Sequence, residues 1–195
     1  MKQLRTARLA LIAALALSFG FALAQDAPTE MTGEEKITDA MSAGPPSITQ
    51  DATILEWPSE PGGEFNVLRE GSNGWSCLAS SSAAILGGLQ DPSCEDETWF
   101  AWDKAFVAGE KPSVEKVGIS YMLSGDAGAS NTDPSATSPT DDNEWHVSGP
   151  HTMVLVPGSN YEGVSTDHTN GGPYVMWAGT PYAHIMVPVG PHAGE

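Results

Sequence analysis

Glycine and proline interrupt this chain so often that they leave room for little beyond short strands and one or two helices. Its 195 residues include 21 glycines and 15 prolines. That density falls short of collagen-like or disordered composition but demands a loop-rich fold. Residues 52–57 and 64–69 are strand-like runs, separated by Pro58, Pro61, Gly62 and Gly63, which supply a turn. Further strands are predicted at residues 117–123, 153–156, 174–177 and 185–187. The strongest helix signal covers residues 95–108. Ser93 and Asp96 imitate a capping box there, Glu95, Asp96 and Glu97 suit a positive helix N-terminus, and Gly109 offers a stop. Within it Trp99, Trp102 and Phe106 recur at helical spacing, the mark of a core-facing stripe. Residues 77–89, rich in Ala, Ser and Leu and closed by Gly87-Gly88, read as a second helix. The expected class is therefore α+β, a mainly antiparallel sheet carrying one or two helices.

Charge and leader narrow the setting. With 8 Lys+Arg against 25 Asp+Glu, the formal net charge is −17. A face that binds nucleic acid must be basic, and so must an electrostatic membrane anchor, so neither class fits. Lys2, Arg5 and Arg8 precede an uncharged run over residues 9–24 that ends in Ala22-Leu23-Ala24. This is the pattern of a secretory signal peptide, cut after Ala24, and the run is shorter than the ~20 residues of a membrane-spanning helix. The expected product is periplasmic or extracellular, with no membrane insertion after cleavage. Residues 25–50 lack aromatics and carry Pro28, Pro45 and Pro46 among five acidic residues, which predicts a flexible lead-in, with a short helix around residues 34–41 as the competing reading. Residues 51–195 should then form a single α+β domain.

Two cysteines in an exported chain read as one disulfide, Cys77–Cys94. Closing a loop of 17 residues is worth about 3 kcal/mol on the chain-entropy model. The competing chemistry takes Cys77 as a thiolate at a helix start, with His151 and Asp167 following it in the chain. That order resembles the bacteriocin-processing cysteine peptidases of papain-like fold. The resemblance implies Cys77 as nucleophile, His151 as base and Asp167 as the orienting group. Those enzymes place a glutamine just before the nucleophile, and residues 70–76 contain none.

Five histidines, His146, His151, His168, His184 and His192, could meet in space as metal ligands, although no pair has the i, i+4 spacing of a helical zinc motif. The long polar stretch 124–143 offers Asp126, Asn131, Asp133, Asp141 and Asp142, oxygen ligands of the type calcium takes. It fails the EF-hand pattern at positions six and twelve and reads as a solvated acidic loop. No metal or cofactor is expected. The aromatic-rich C-terminal part, with Trp177, Tyr182 and His184, could join His151 in lining a small-molecule pocket.

The blocks Asn73-Gly74-Trp75-Ser76-Cys77, Asp91-Pro92-Ser93-Cys94, Ser130-Asn131-Thr132-Asp133-Pro134, Gly149-Pro150-His151 and Thr180-Pro181-Tyr182-Ala183-His184 together resemble a family of small secreted bacterial proteins of unassigned function. The resemblance implies a discrete domain and no activity. The functional expectation is a secreted, non-catalytic, disulfide-stapled domain that binds a small ligand or an envelope component. The rival is an exported hydrolase using Cys77/His151/Asp167 or a histidine-bound metal.

Overall fold

The computed structural model describes residues 30–191. The expected leader and its cut after Ala24, the first residues of the lead-in, and His192 lie outside the described residues. The strands are β1 (Thr53–Glu56), β2 (Asn66–Arg69), β3 (Ser76–Leu78), β4 (Ser93–Glu95), β5 (Gly118–Met122), β6 (Ala129–Ser130), β7 (Trp145–His146), β8 (His151–Leu155), β9 (Tyr174–Met176) and β10 (His184–Pro188). The helices are α1 (Gly33–Ser42), α2 (Pro46–Thr49), α3 (Ser82–Leu86) and α4 (Glu97–Val107). Eight strands make one sheet in the order β2-β1-β3-β4-β5-β8-β10-β9, and β6 pairs with β7 in a small second sheet. Every pairing is antiparallel except β1 with β3. This is the expected α+β, sheet-dominated class.

Directly opposed residues share a face of the sheet, so register sorts the side chains. One face carries the row Ile54, Cys77, Cys94, Tyr121 and Thr152. Helix α1 covers it, and Ala40, Ala43, Ala52, Ile54, Cys77, Ala79 and Cys94 form a core of small side chains there. The opposite face carries Ser76, Glu95, Ser120, Met153, Met186 and Tyr174. Helix α4 packs on that side through Trp99 and Trp102, against Met153, Leu155, Met176 and Met186.

Three expectations need correction. The segment 25–50, expected to be a flexible lead-in, is folded over its described part. Thr32 and Glu35 close a reciprocal capping box on α1, and Ala40 and Ala43 are fully buried against the sheet. Composition misled here because alanine buries little area itself but lets a helix lie close to its neighbours. The predicted helix over residues 77–89 is instead strand β3, a single turn α3 capped by Ser81, and a loop. Cys77 therefore sits in a strand. At α4 the capping residue is Asp96, whose carboxylate accepts from the Trp99 N–H at 2.8 Å and also from the Ile119 N–H at 2.9 Å. Ser93 and Glu95, assigned to that helix start, belong to β4.

Cys77 and Cys94 form the disulfide, opposed across β3 and β4 on the α1 face. No helix among the described residues is long and apolar enough to cross a membrane.

Candidate functional site

Between α4 and its face of the sheet lies a cleft of about 200 Å³. Its walls are aromatic and methionine-rich, with Trp57, Trp99, Trp102, Phe106, Trp177, Met153 and Met186 among the lining residues. Trp102, Phe106 and Trp177 lie nearly parallel, with interplanar angles of 6–11°. Trp177 reaches that layer from a left-handed backbone conformation, φ 55°. Such a conformation costs a bulky residue of order 1 kcal/mol and persists only where the surroundings fix it. Here the Trp177 backbone N–H donates to the Asn131 carbonyl and its indole Nε1–H to the Ser130 carbonyl, at 2.8 and 2.7 Å.

Into this apolar setting the fold puts Glu95 from β4, Asp103 from α4, His151 from β8 and His184 from β10, each no more than 4% exposed. Glu95 accepts from the Ser93 hydroxyl at 2.7 Å through Oε1. Its Oε2 and the Asp103 Oδ2 have no donor, and neither do the Trp102 indole nitrogen or the Ser120 hydroxyl find a partner. Burial pushes Glu95 well above the usual carboxylate range, with the adjacent Asp103 charge and the nearby Asp96 adding to it. Burial likewise raises Asp103 to about 7, while hydrogen bonding from Glu95 and Trp99 works in the opposite sense. The two carboxyl groups interact directly, so one proton shared between them, resting on Glu95, is the physically favoured state.

The histidines are tuned the other way. His151 Nδ1 lies 2.7 Å from the Gly149 carbonyl, and His184 Nδ1 lies 3.0 Å from that of Tyr182. A carbonyl can only accept, so each Nδ1 carries the hydrogen and each Nε2 presents a lone pair. Both Nε2 atoms are buried and unpartnered. Burial lowers His151, opposed by the Asp126 carboxylate and the Gly149 carbonyl. It lowers His184 to about 4, opposed by the Tyr182 carbonyl and reinforced by His151. The His184 ring stands edge-on to Trp99, Trp102 and Trp177, with centroids 5.0–5.8 Å away. A neutral imidazole is thus caged by three indoles.

Of the residues expected to bind a ligand, His151, Trp177 and His184 line this cleft together. Tyr182 stands behind it, packed edge-on against Phe106 at 5.0 Å and donating its hydroxyl to the Glu110 carbonyl. The alternative set Cys77, His151 and Asp167 does not come together. Cys77 is oxidised and shares a face with Thr152, whereas His151 projects from the other face. Asp167 is on an exposed loop, accepting from Thr169. His146 and His168 stack on each other at 4.2 Å beside Tyr174, whose hydroxyl lies 2.8 Å from His146 Nε2. They form a cluster separate from the cleft. In the 124–143 stretch, Asp126 accepts from the Gly128 and Ser148 N–H groups and Asp133 from Ser135. Among the described residues no group of three or more His, Cys, Asp or Glu side chains is arranged to hold a metal ion.

Glu95, Asp103 and Trp102 were not expected as site residues. A signal for Asp103 does exist. It lies four residues after Trp99 and three before Phe106, which puts an acid on the helix face meant for the core. Glu95 gave none, because acids next to a helix start usually serve its dipole. Comparison with family models, curated proteins and solved structures returned no match for this chain.

Proposed function

We propose that the protein is an exported, disulfide-braced domain that binds a small ligand in the cleft beneath α4, without itself catalysing a reaction. One observation carries the reading. Two buried imidazole lone pairs and one oxygen each of the buried Glu95 and Asp103 carboxyls, Oε2 and Oδ2, line a single aromatic-walled cavity without a donor from elsewhere in the protein. Buried polar groups are almost always paired, and exceptions of this density point to a missing partner. An apolar pocket holding a few convergent polar groups is the usual form of a small-molecule site. A cavity near 150 Å³ accommodates benzene, so the space fits a ligand of roughly that size or slightly larger. Export is supported by the basic-apolar leader with its Ala-Leu-Ala cleavage pattern and by the presence of a disulfide. The same two features favour the likeness to small secreted bacterial proteins.

The test is a fragment screen read by amide and indole nuclear magnetic resonance. Binding that moves the indole N–H signals of Trp102 and Trp177 together, at one-to-one stoichiometry, supports the reading. Fragments that perturb only residues outside the cleft contradict it.

A further inference from the structure

We infer that the ligand of this cleft is a small organic cation, a primary ammonium compound with a compact apolar body. The inference rests on the ligand-binding reading above and assigns its chemistry. Every ionisable group lining the cleft is an acid or a histidine: Asp91, Glu95, Asp103, Asp126, His151 and His184. Lysine and arginine are absent from the lining. Asp91 and Asp126 already accept from Ser81 and from the Gly128 and Ser148 N–H groups. Their charges nevertheless add to the negative potential.

Of the unpaired atoms lining the cleft, four are carboxyl oxygens or imidazole nitrogens, and the Trp102 indole N–H is the one donor among them. Both histidines are locked with Nε2 as acceptor, and carboxyl oxygens of Glu95 and Asp103 await donors. An ammonium group supplies three N–H donors and the missing positive charge at once. The indole faces that wall the site favour a cation over a neutral or anionic group, and the methionines suit its apolar body. A bare metal ion fits less well. The volume exceeds what one ion needs, the walls are aromatic, and no three ligating side chains converge among the described residues.

Calorimetric titration of the disulfide-intact protein at pH 7.5, followed in parallel by tryptophan fluorescence, tests this with matched probes. They are benzylamine and cyclohexylamine, benzyl alcohol and cyclohexanol as neutral counterparts, benzoate as the anion, and zinc alone. The expected result is binding of at least one amine ten times or more tighter than its alcohol, no binding of benzoate, and no stoichiometric zinc. Asp103→Asn should weaken amine binding at least tenfold. Glu95→Gln provides the same readout if that variant is poorly folded. Alcohols binding as tightly as amines would overturn the ammonium assignment and leave the ligand-binding reading standing. Stoichiometric zinc abolished by His151→Ala would replace the ammonium with a metal. Silence from all the probes would overturn both readings.

Discussion

The two faces of the sheet bury polar groups on opposite terms. On the α1 face, Asp39 is 5% exposed and its carboxylate accepts from the Ser80 N–H, the Ser80 hydroxyl and the Gln90 amide. Arg69, opposed to Ile54 across β1 and β2, donates to the Thr49 and Ala52 carbonyls. On the α4 face, Asp103 is equally buried, at 4%, and the protein gives its Oδ2 nothing but a neighbouring acid. Burying a polar group without a partner costs about 1–3 kcal/mol. One face is built for stability and the other carries a deliberate deficit. Natural proteins keep such deficits where function requires them.

The comparison breaks most visibly under large substitutions. Trp99→Ala should lose about 3–5 kcal/mol, since it removes one of the two buried indoles that anchor α4 and leaves a cavity. Urea unfolding checks it. On the other face, Cys77→Ala and Cys94→Ala should each lose about 3 kcal/mol, and the double variant no more than either, because all three remove one crosslink. Unequal losses would mean that one sulfur does something besides bracing. Asp39→Ala should lose about 1–3 kcal/mol by stranding the buried Ser80 N–H. The smallest effect sharpens the contrast. Ser120→Ala removes an unpartnered hydroxyl on the α4 face and should change stability by less than about 0.5 kcal/mol, or raise it.

The contrast also marks what could be read from sequence. Strands β1, β2, β5, β8, β9 and β10 and helix α4 were legible, because Gly and Pro breaks and an aromatic stripe fix their places locally. The disulfide was legible from cysteine count. Helix α1 was legible only as the competing reading over residues 34–41, and its docking was not, since burial there depends on two alanines meeting Ile54 and the disulfide, partners far along the chain. Strand β4 has three residues, too few for any periodicity, and it carries Glu95. Of the four residues expected to line a pocket, His151, Trp177 and His184 do so, and the aromatic density near the C-terminus was the visible signal. Of the pocket's acids, Glu95 came from a segment whose local signal said helix cap, whereas Asp103 lay on the core stripe of α4.

Linkage gives the most direct test. Asp103 titrates at about 7 in the folded protein, above the 3.8 of an unperturbed aspartate. Folding therefore binds a proton more tightly, and this group's contribution to stability is lost as pH rises from about 4 through 7. The lowered His184, at about 4, acts in the opposite sense between 4 and 6.5, so wild-type stability alone mixes the two. The difference between Asp103→Asn and wild type cancels the histidine and reports the linked Asp103–Glu95 pair. Urea unfolding of both proteins from pH 4 to pH 8 should find them nearly equal at pH 4. The variant should gain steadily above that, reaching about 1 kcal/mol or more by pH 8. A variant less stable than wild type at pH 8, as Asp39→Asn should be, would mean that Asp103 supports the fold and that the α4 face carries no deficit.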